Sequence, residues 1–149
     1  MSKSVARNLV HLVFSTKHRE PLITDSLNPA MFGYLVGVAK GIDCPAIIAG
    51  GIADHVHILF ALHKTVALCR AVEEIKKESS KWAKENGGPS NFYWQNGYGA
   101  FSVSPQHVPR VTAYITNHAR HHADESFQDE FRYMLHKAGE ECDEREMWD

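Results

Sequence analysis

Between Asn8 and Val103 the chain changes hydrophobic period in one order: strand, helix, two strands, helix, strand. Asn8 to Thr16 is rich in apolar and β-branched residues and reads as a first strand. Pro29 to Lys40 carries Met31, Phe32, Leu35, Val36 and Val38 at near-helical spacing, with Gly41 as a stop. Pro45 to Ile52 and His55 to Leu62 read as strands, with Gly50-Gly51 allowing a bend or bulge. Thr65 to Asn86 is a long amphipathic helix closed by Gly87-Gly88-Pro89. Gly99 to Val103 is a short fourth strand. A helix within Ser104–Ala123 and another over Ser126–Lys137 follow, and the acidic end is expected to fray. This order predicts an α+β, ferredoxin-like (RRM-like) fold: a four-stranded antiparallel sheet, helices on one face, and added C-terminal helices. The fold hosts many functions, so function has to be read from the site.

With 149 residues and no linker or repeat, one domain over 1–149 is expected, with an acidic tail over about 139–149. No run of about 18 apolar residues and no signal-peptide core occurs, which points to the cytoplasm. Cys44, Cys69 and Cys142 form no CxxC pair, which argues against a zinc knuckle or a disulfide framework. The net charge is −2, but it is unevenly spread. Ten acidic and three basic residues fall between Asp124 and Asp149, leaving the rest with eight acidic and thirteen basic. A basic body suits a polyanion ligand.

The sharpest local signal is Asp54-His55-Val56-His57. On a strand, His55 and His57 share a face, their rings about 7 Å apart along it, so both can reach one metal ion. An inert, hydrogen-bonded histidine pair has the same pattern. The second signal is Tyr114 with His118 four residues later, neighbours on one helix face, with His121 and His122 extending that side. A phenol beside a cation is activated as a nucleophile; taken alone, it equally anchors a helix to a sheet. Asp54 suits a hydrogen bond to an imidazole better than direct ligation. Tyr34 and Tyr133 are expected in the core, Tyr98 in a glycine-flanked turn, and His63 and His107 at the surface.

His55-Val56-His57 resembles the HUH motif (histidine, bulky hydrophobe, histidine). With Tyr114 it resembles the single-tyrosine HUH transposases of the insertion sequence 200/605 type, including the REP-associated tyrosine transposases. The resemblance extends to His11–Arg19 with its Thr16-Lys17-His18-Arg19 turn, to Gly51–His55, to Ser79-Ser80-Lys81-Trp82 and to Trp94–Ser104, and covers about residues 8–138. It implies a transposase: a metal-dependent enzyme that cuts and rejoins single-stranded DNA through a 5′-phosphotyrosine intermediate and recognises DNA hairpins. Tyr114 is then the nucleophile, and His55, His57 and His118 are the metal ligands. The family usually has glutamine where this chain has His118. Mg²⁺ or Mn²⁺ is the implied cofactor, although three imidazoles suit Mn²⁺, Zn²⁺, Co²⁺ or Ni²⁺ better than Mg²⁺. A homodimer is also implied, with the tyrosine helix completing the partner's site; a helix folded onto its own sheet is the alternative.

Candidate DNA contacts are Lys17 and Arg19 after the first strand, and Arg70, Lys76, Lys77, Lys81 and Lys84 on the long helix. The latter alternate with Glu73, Glu74, Glu78 and Glu85, which a solvated salt-bridged face also explains. Three rivals remain at this point: a non-catalytic RRM-like nucleic-acid binder, a metal-dependent hydrolase, and a domesticated transposase relative acting on genomic repeat hairpins.

Overall fold

The computed structural model describes residues 1–148 apart from the side chain of His121. Its strands are β1 (Asn8–Ser15), β2 (Ala46–Ile52), β3 (His55–Leu62) and β4 (Gly99–Val103). The helices are α1 (Asn28–Gly41), α2 (Leu68–Glu85), α3 (Val108–Thr116), α4 (His118–His121), α5 (Phe127–Ala138) and α6 (Glu144–Met147). The strands form one sheet in the order β2-β3-β1-β4, with every neighbouring pair antiparallel. This is the expected ferredoxin-like order. No described helix is long and apolar enough to cross a membrane.

Alternation along β1 and β3 sorts the two sheet faces. Val10, Leu12 and Phe14 of β1 and Val56, Ile58 and Phe60 of β3 point into one buried cluster with Met31, Leu35 and Ala39 of α1 and Ala71, Val72 and Ile75 of α2. Each of the side chains larger than alanine contributes about 1.5–3 kcal/mol of burial. Tyr34 is half-buried and stacks on Trp82, joining α1 to α2 with ring centroids 5.1 Å apart. Trp94 closes the same core, and its indole N–H donates to Ser79 Oγ at 3.0 Å. The alternate residues, His11 of β1 and His55 and His57 of β3, point to the opposite face. In a bare four-stranded fold that face meets water. Here α3, α4 and α5 lie over it, so the histidines are interior.

Two glycines permit this cover. A Cβ on Gly50 of β2 would stand 2.9 Å from Ile115 Cγ2 and 3.0 Å from the Ile115 carbonyl oxygen, so α3 packs directly on the strand backbone. A Cβ on Gly99 of β4 would stand 2.4 Å from Phe131 Cε2 of α5. Gly99→Ala is therefore expected to lower stability by about 1–3 kcal/mol through overpacking. Urea denaturation reads this, and an unchanged midpoint would contradict the close seating of α5 on β4.

Four expectations need correction. The irregularity in β2 falls at Ala46–Ile48, while Gly50 and Gly51 pair regularly with His57 and Val56; the glycines serve close packing, not a bulge. The expected single helix in Ser104–Ala123 is a 3-10 turn followed by α3 and α4, which break at Asn117. Tyr133 is 60% exposed, because the inner face of α5 is taken by Phe127 and Glu130. The acidic end contains α6, capped by Asp143 and tied to α5 by Arg132 hydrogen bonds to Glu144.

Candidate metal centre

His55, His57, His118 and Glu130 offer one ligand atom each, all within 4.8 Å of one another. They come from β3, α4 and α5, and each is at most 1% exposed. The strand period aims both β3 imidazoles at this point. The chain break at Asn117 turns His118 inward, and Ser126, which accepts from the Asp129 amide, starts α5 so that Glu130 follows Phe127 on the buried face.

Hydrogen bonds orient the rings. His55 Nδ1–H donates to Asp54 Oδ1 at 2.6 Å, leaving His55 Nε2 facing the centre. His57 Nδ1 lies 2.8 Å from Nε2 of the buried His11 on β1, leaving His57 Nε2 facing inward as well. His122 Nδ1–H donates to the Glu125 carbonyl at 2.5 Å, and its Nε2 then points toward Glu130. The tautomers follow because Asp54 and the Glu125 carbonyl only accept.

The consequence is a crowd of acceptors. His55 Nε2 lies 2.7 Å from His118 Nε2 and 3.2 Å from His122 Nε2. Glu130 Oε1 lies 2.9 Å from His57 Nε2 and 3.3 Å from His55 Nε2, and Oε2 lies 3.0 Å from His122 Nε2. With Nδ1 protonated on His55 and His122, their Nε2 atoms donate to Glu130 or to each other only when a second proton is bound, and otherwise set lone pair against lone pair. His118 Nδ1 is buried with no hydrogen-bond partner among the described residues. A cation among these donors removes the repulsion, so the residues fit a divalent metal.

The titration behaviour agrees. Burial, then the neighbouring His57, pushes His11 down to about 3 and His118 down to about 2. Burial also lowers His57. For His55 burial opposes the charged form, but Asp54 and Glu130 outweigh it and the pKa is raised. Burial likewise opposes charge on Glu130, yet hydrogen bonds from His122, His55 and His57 hold it well below the usual carboxylate range. Neutral His57 and His118 and an ionised Glu130 are in the protonation states that ligate, while at His55, whose pKa is raised, a metal has to displace a proton.

Tyr114 of α3 is half-buried, and its hydroxyl donates to Glu130 Oε2. Its ring centroid is 5.8 Å from those of His57 and His118. Burial, then the Glu130 carboxylate, raises the phenol above its ordinary value. All four of Tyr114, His55, His57 and His118 thus meet within one chain. α3 lies on β2 and β3 of its own sheet, which is the cis alternative of the two assemblies.

The expected DNA cations separate. Lys17 and Arg19 sit in a turn just past Ser15, which pairs with His55, and Arg19 lies over the Trp148 ring beside α5. Arg70, Lys76, Lys77, Lys81 and Lys84 ride on α2, across the sheet from the centre. Lys76 donates to the carbonyls of Gln95, Asn96 and Gly97, and Arg70 and Lys77 pair with Glu74.

The sequence reading missed Glu130 and His11 as members of the site. Glu130 is 73 residues from His57 and lies among many other acidic residues after Asp124, with no motif spacing to single it out. The available signal was one acid on the Phe127–Phe131 face of an amphipathic helix. For His11 it was a histidine inside an otherwise apolar strand.

No curated protein matches the sequence. Two transposases are among the solved structures that share the fold. One is a candidate transposase from Deinococcus radiodurans R1, 20% identical, with a TM-score of 0.60 over 78% of this chain and 97% of that one. The other is a REP-associated tyrosine transposase bound to a REP hairpin, 13% identical, with a TM-score of 0.56 over 77% of this chain and 68% of that one. The family model for IS200-like transposases matches residues 4–118, from the approach to β1 through the histidine pair to Tyr114 and His118. The chain belongs to the IS200-like transposase family.

Proposed function

We propose that this transposase cuts and rejoins single-stranded DNA with Tyr114 as nucleophile and a divalent metal held by His55, His57 and His118. The observation that carries the reading is the hydrogen bond from the Tyr114 hydroxyl to a carboxylate that also touches the histidine donors. A bound divalent cation supplies Lewis-acid polarisation of a phosphate oxygen. Tyr114 Oη attacks the phosphorus, the bond to the 3′-oxygen breaks, and a 5′-phosphotyrosine remains. The phenol proton is released through its hydrogen bond to Glu130 Oε2 and on to solvent, and the departing 3′-oxygen takes a proton from solvent and leaves as a hydroxyl. Rejoining is the reverse: a 3′-hydroxyl attacks the phosphotyrosine and the phenol is restored. The bond energy is kept throughout, so no nucleotide is consumed.

The reading includes a homodimer working in the cytoplasm; its DNA carries hairpins, and that part is in keeping with the hairpin-bound structural neighbour. The position of Lys17 and Arg19 just past Ser15, which pairs with His55, supports a role for them in meeting the strand near the chemistry. The α2 cations, being across the sheet, suit the body of a hairpin instead.

Incubation of labelled single-stranded DNA carrying hairpins with the protein and Mn²⁺ is expected to yield a covalent adduct on a denaturing gel. Hairpin binding without adduct in any divalent metal would favour a non-catalytic binder. Cleavage without adduct would favour hydrolysis by activated water. Hairpins from repeats in the host genome, compared with hairpins from element ends, separate a domesticated enzyme from a mobile one.

A further inference from the structure

Mg²⁺ takes oxygen ligands in octahedral geometry and keeps several waters. The donors here are three imidazole nitrogens and one carboxylate, each at most 1% exposed. That set is nitrogen-rich, four in number and sheltered from solvent, which suits first-row transition metals. We infer that Glu130 Oε1 is a fourth protein ligand, closing a three-histidine, one-carboxylate centre that selects Zn²⁺, Co²⁺ or Mn²⁺ over Mg²⁺. The inference rests on the metal reading above and deepens it.

The Glu130 carboxylate is divided between two tasks. Oε1 faces the histidine donors, at 2.9 Å from His57 Nε2 and 3.3 Å from His55 Nε2. Oε2 lies toward Tyr114 and His122, with His118 Nδ1 at 3.6 Å. One oxygen is therefore available to a metal while the other holds the nucleophile. Packing keeps Glu130 in place independently of any ion. The Phe127 ring lies 4.5 Å from that of His55, and Phe131 occupies the space that Gly99 leaves open. Asp54 and His11 hold the Nδ1 atoms of His55 and His57, so both Nε2 atoms are aimed before a metal arrives. A preformed ligand set with little solvent access does not supply the several waters that Mg²⁺ retains, whereas a four-coordinate transition metal can expand to a fifth position for a phosphate oxygen.

Co²⁺ is the probe, added to the full chain after chelator treatment, with far-UV circular dichroism confirming the fold of each variant. The wild type is expected to show the intense visible bands of four-coordinate Co²⁺, undiminished by about a hundredfold excess of Mg²⁺. Glu130→Gln, which keeps the shape and weakens the donor, is expected to lower Co²⁺ affinity about tenfold to a hundredfold and reduce the bands. Glu130→Ala should do so at least as strongly. Unchanged affinity and bands in both Glu130 variants, with loss on His55→Ala/His57→Ala, would overturn the fourth ligand and leave the metal reading standing. Displacement of Co²⁺ by Mg²⁺ at that excess would overturn the selectivity. Unchanged binding in the histidine variant as well would sink the metal reading itself.

Discussion

Tyr114→Phe is expected to abolish the covalent DNA adduct and strand cleavage while leaving hairpin binding within about twofold. The substitution removes one oxygen, and the ring still packs at 5.8 Å from His57 and His118. Without a nucleophile the enzyme retains only positioning, and losses of about 10⁴-fold or more follow when a covalent catalyst loses its attacking atom. The hydroxyl also satisfies Glu130, so thermal unfolding should be followed in parallel. Loss of a hydrogen bond to a charged group costs about 1.5–3 kcal/mol. The raised phenol pKa has a clear sign: in the metal-free protein Tyr114 stays protonated through neutral pH, and the anionic Glu130 is part of the cause. Normal adduct formation by the phenylalanine variant would transfer the role to another residue.

His55→Ala/His57→Ala is expected to lose metal binding by calorimetry and cleavage with it, because two of a small ligand set disappear. The double variant also strands Asp54 and His11, whose recorded hydrogen bonds run to these imidazoles, so a fall in stability of a few kcal/mol accompanies the loss. Retained metal affinity in a folded double variant would refute the shared centre. The same protein addresses assembly when mixed with Tyr114→Phe under subunit exchange. With α3 on its own sheet, each chain keeps one defect and the mixture stays inactive. Recovered cleavage would show that a tyrosine helix can complete the site of a partner, as the family resemblance implied.

His55 and His57 were legible because a strand has a period of two, so two histidines separated by one residue must share a face wherever the strand lies. The same local rule sorted Val56, Ile58 and Phe60 into the core under α1 and α2. Tyr114 and His118 were legible as a pair through their spacing, although a break at Asn117 and not a continuous helix sets their angle. Family resemblance joined the two motifs, which no periodicity could do, since 57 and 114 are brought together only by the path of the chain.

Short-range periodicity thus sets the element order, the sheet and the two half-sites. The closed fold decides which surface covers the histidines. That decision depends on the absence of a Cβ at Gly50 and Gly99, where α3 and α5 press against the sheet. The closed fold also decides that Glu130 of α5 leaves water for the centre while its neighbour Asp129 stays exposed. A carboxylate is buried only where donors or cations compensate its lost hydration. Those partners are separated from Glu130 by as many as 75 residues (His55) and as few as eight (His122). No local pattern records such a balance, because the hydration cost and its compensation exist only after the chain has closed around them.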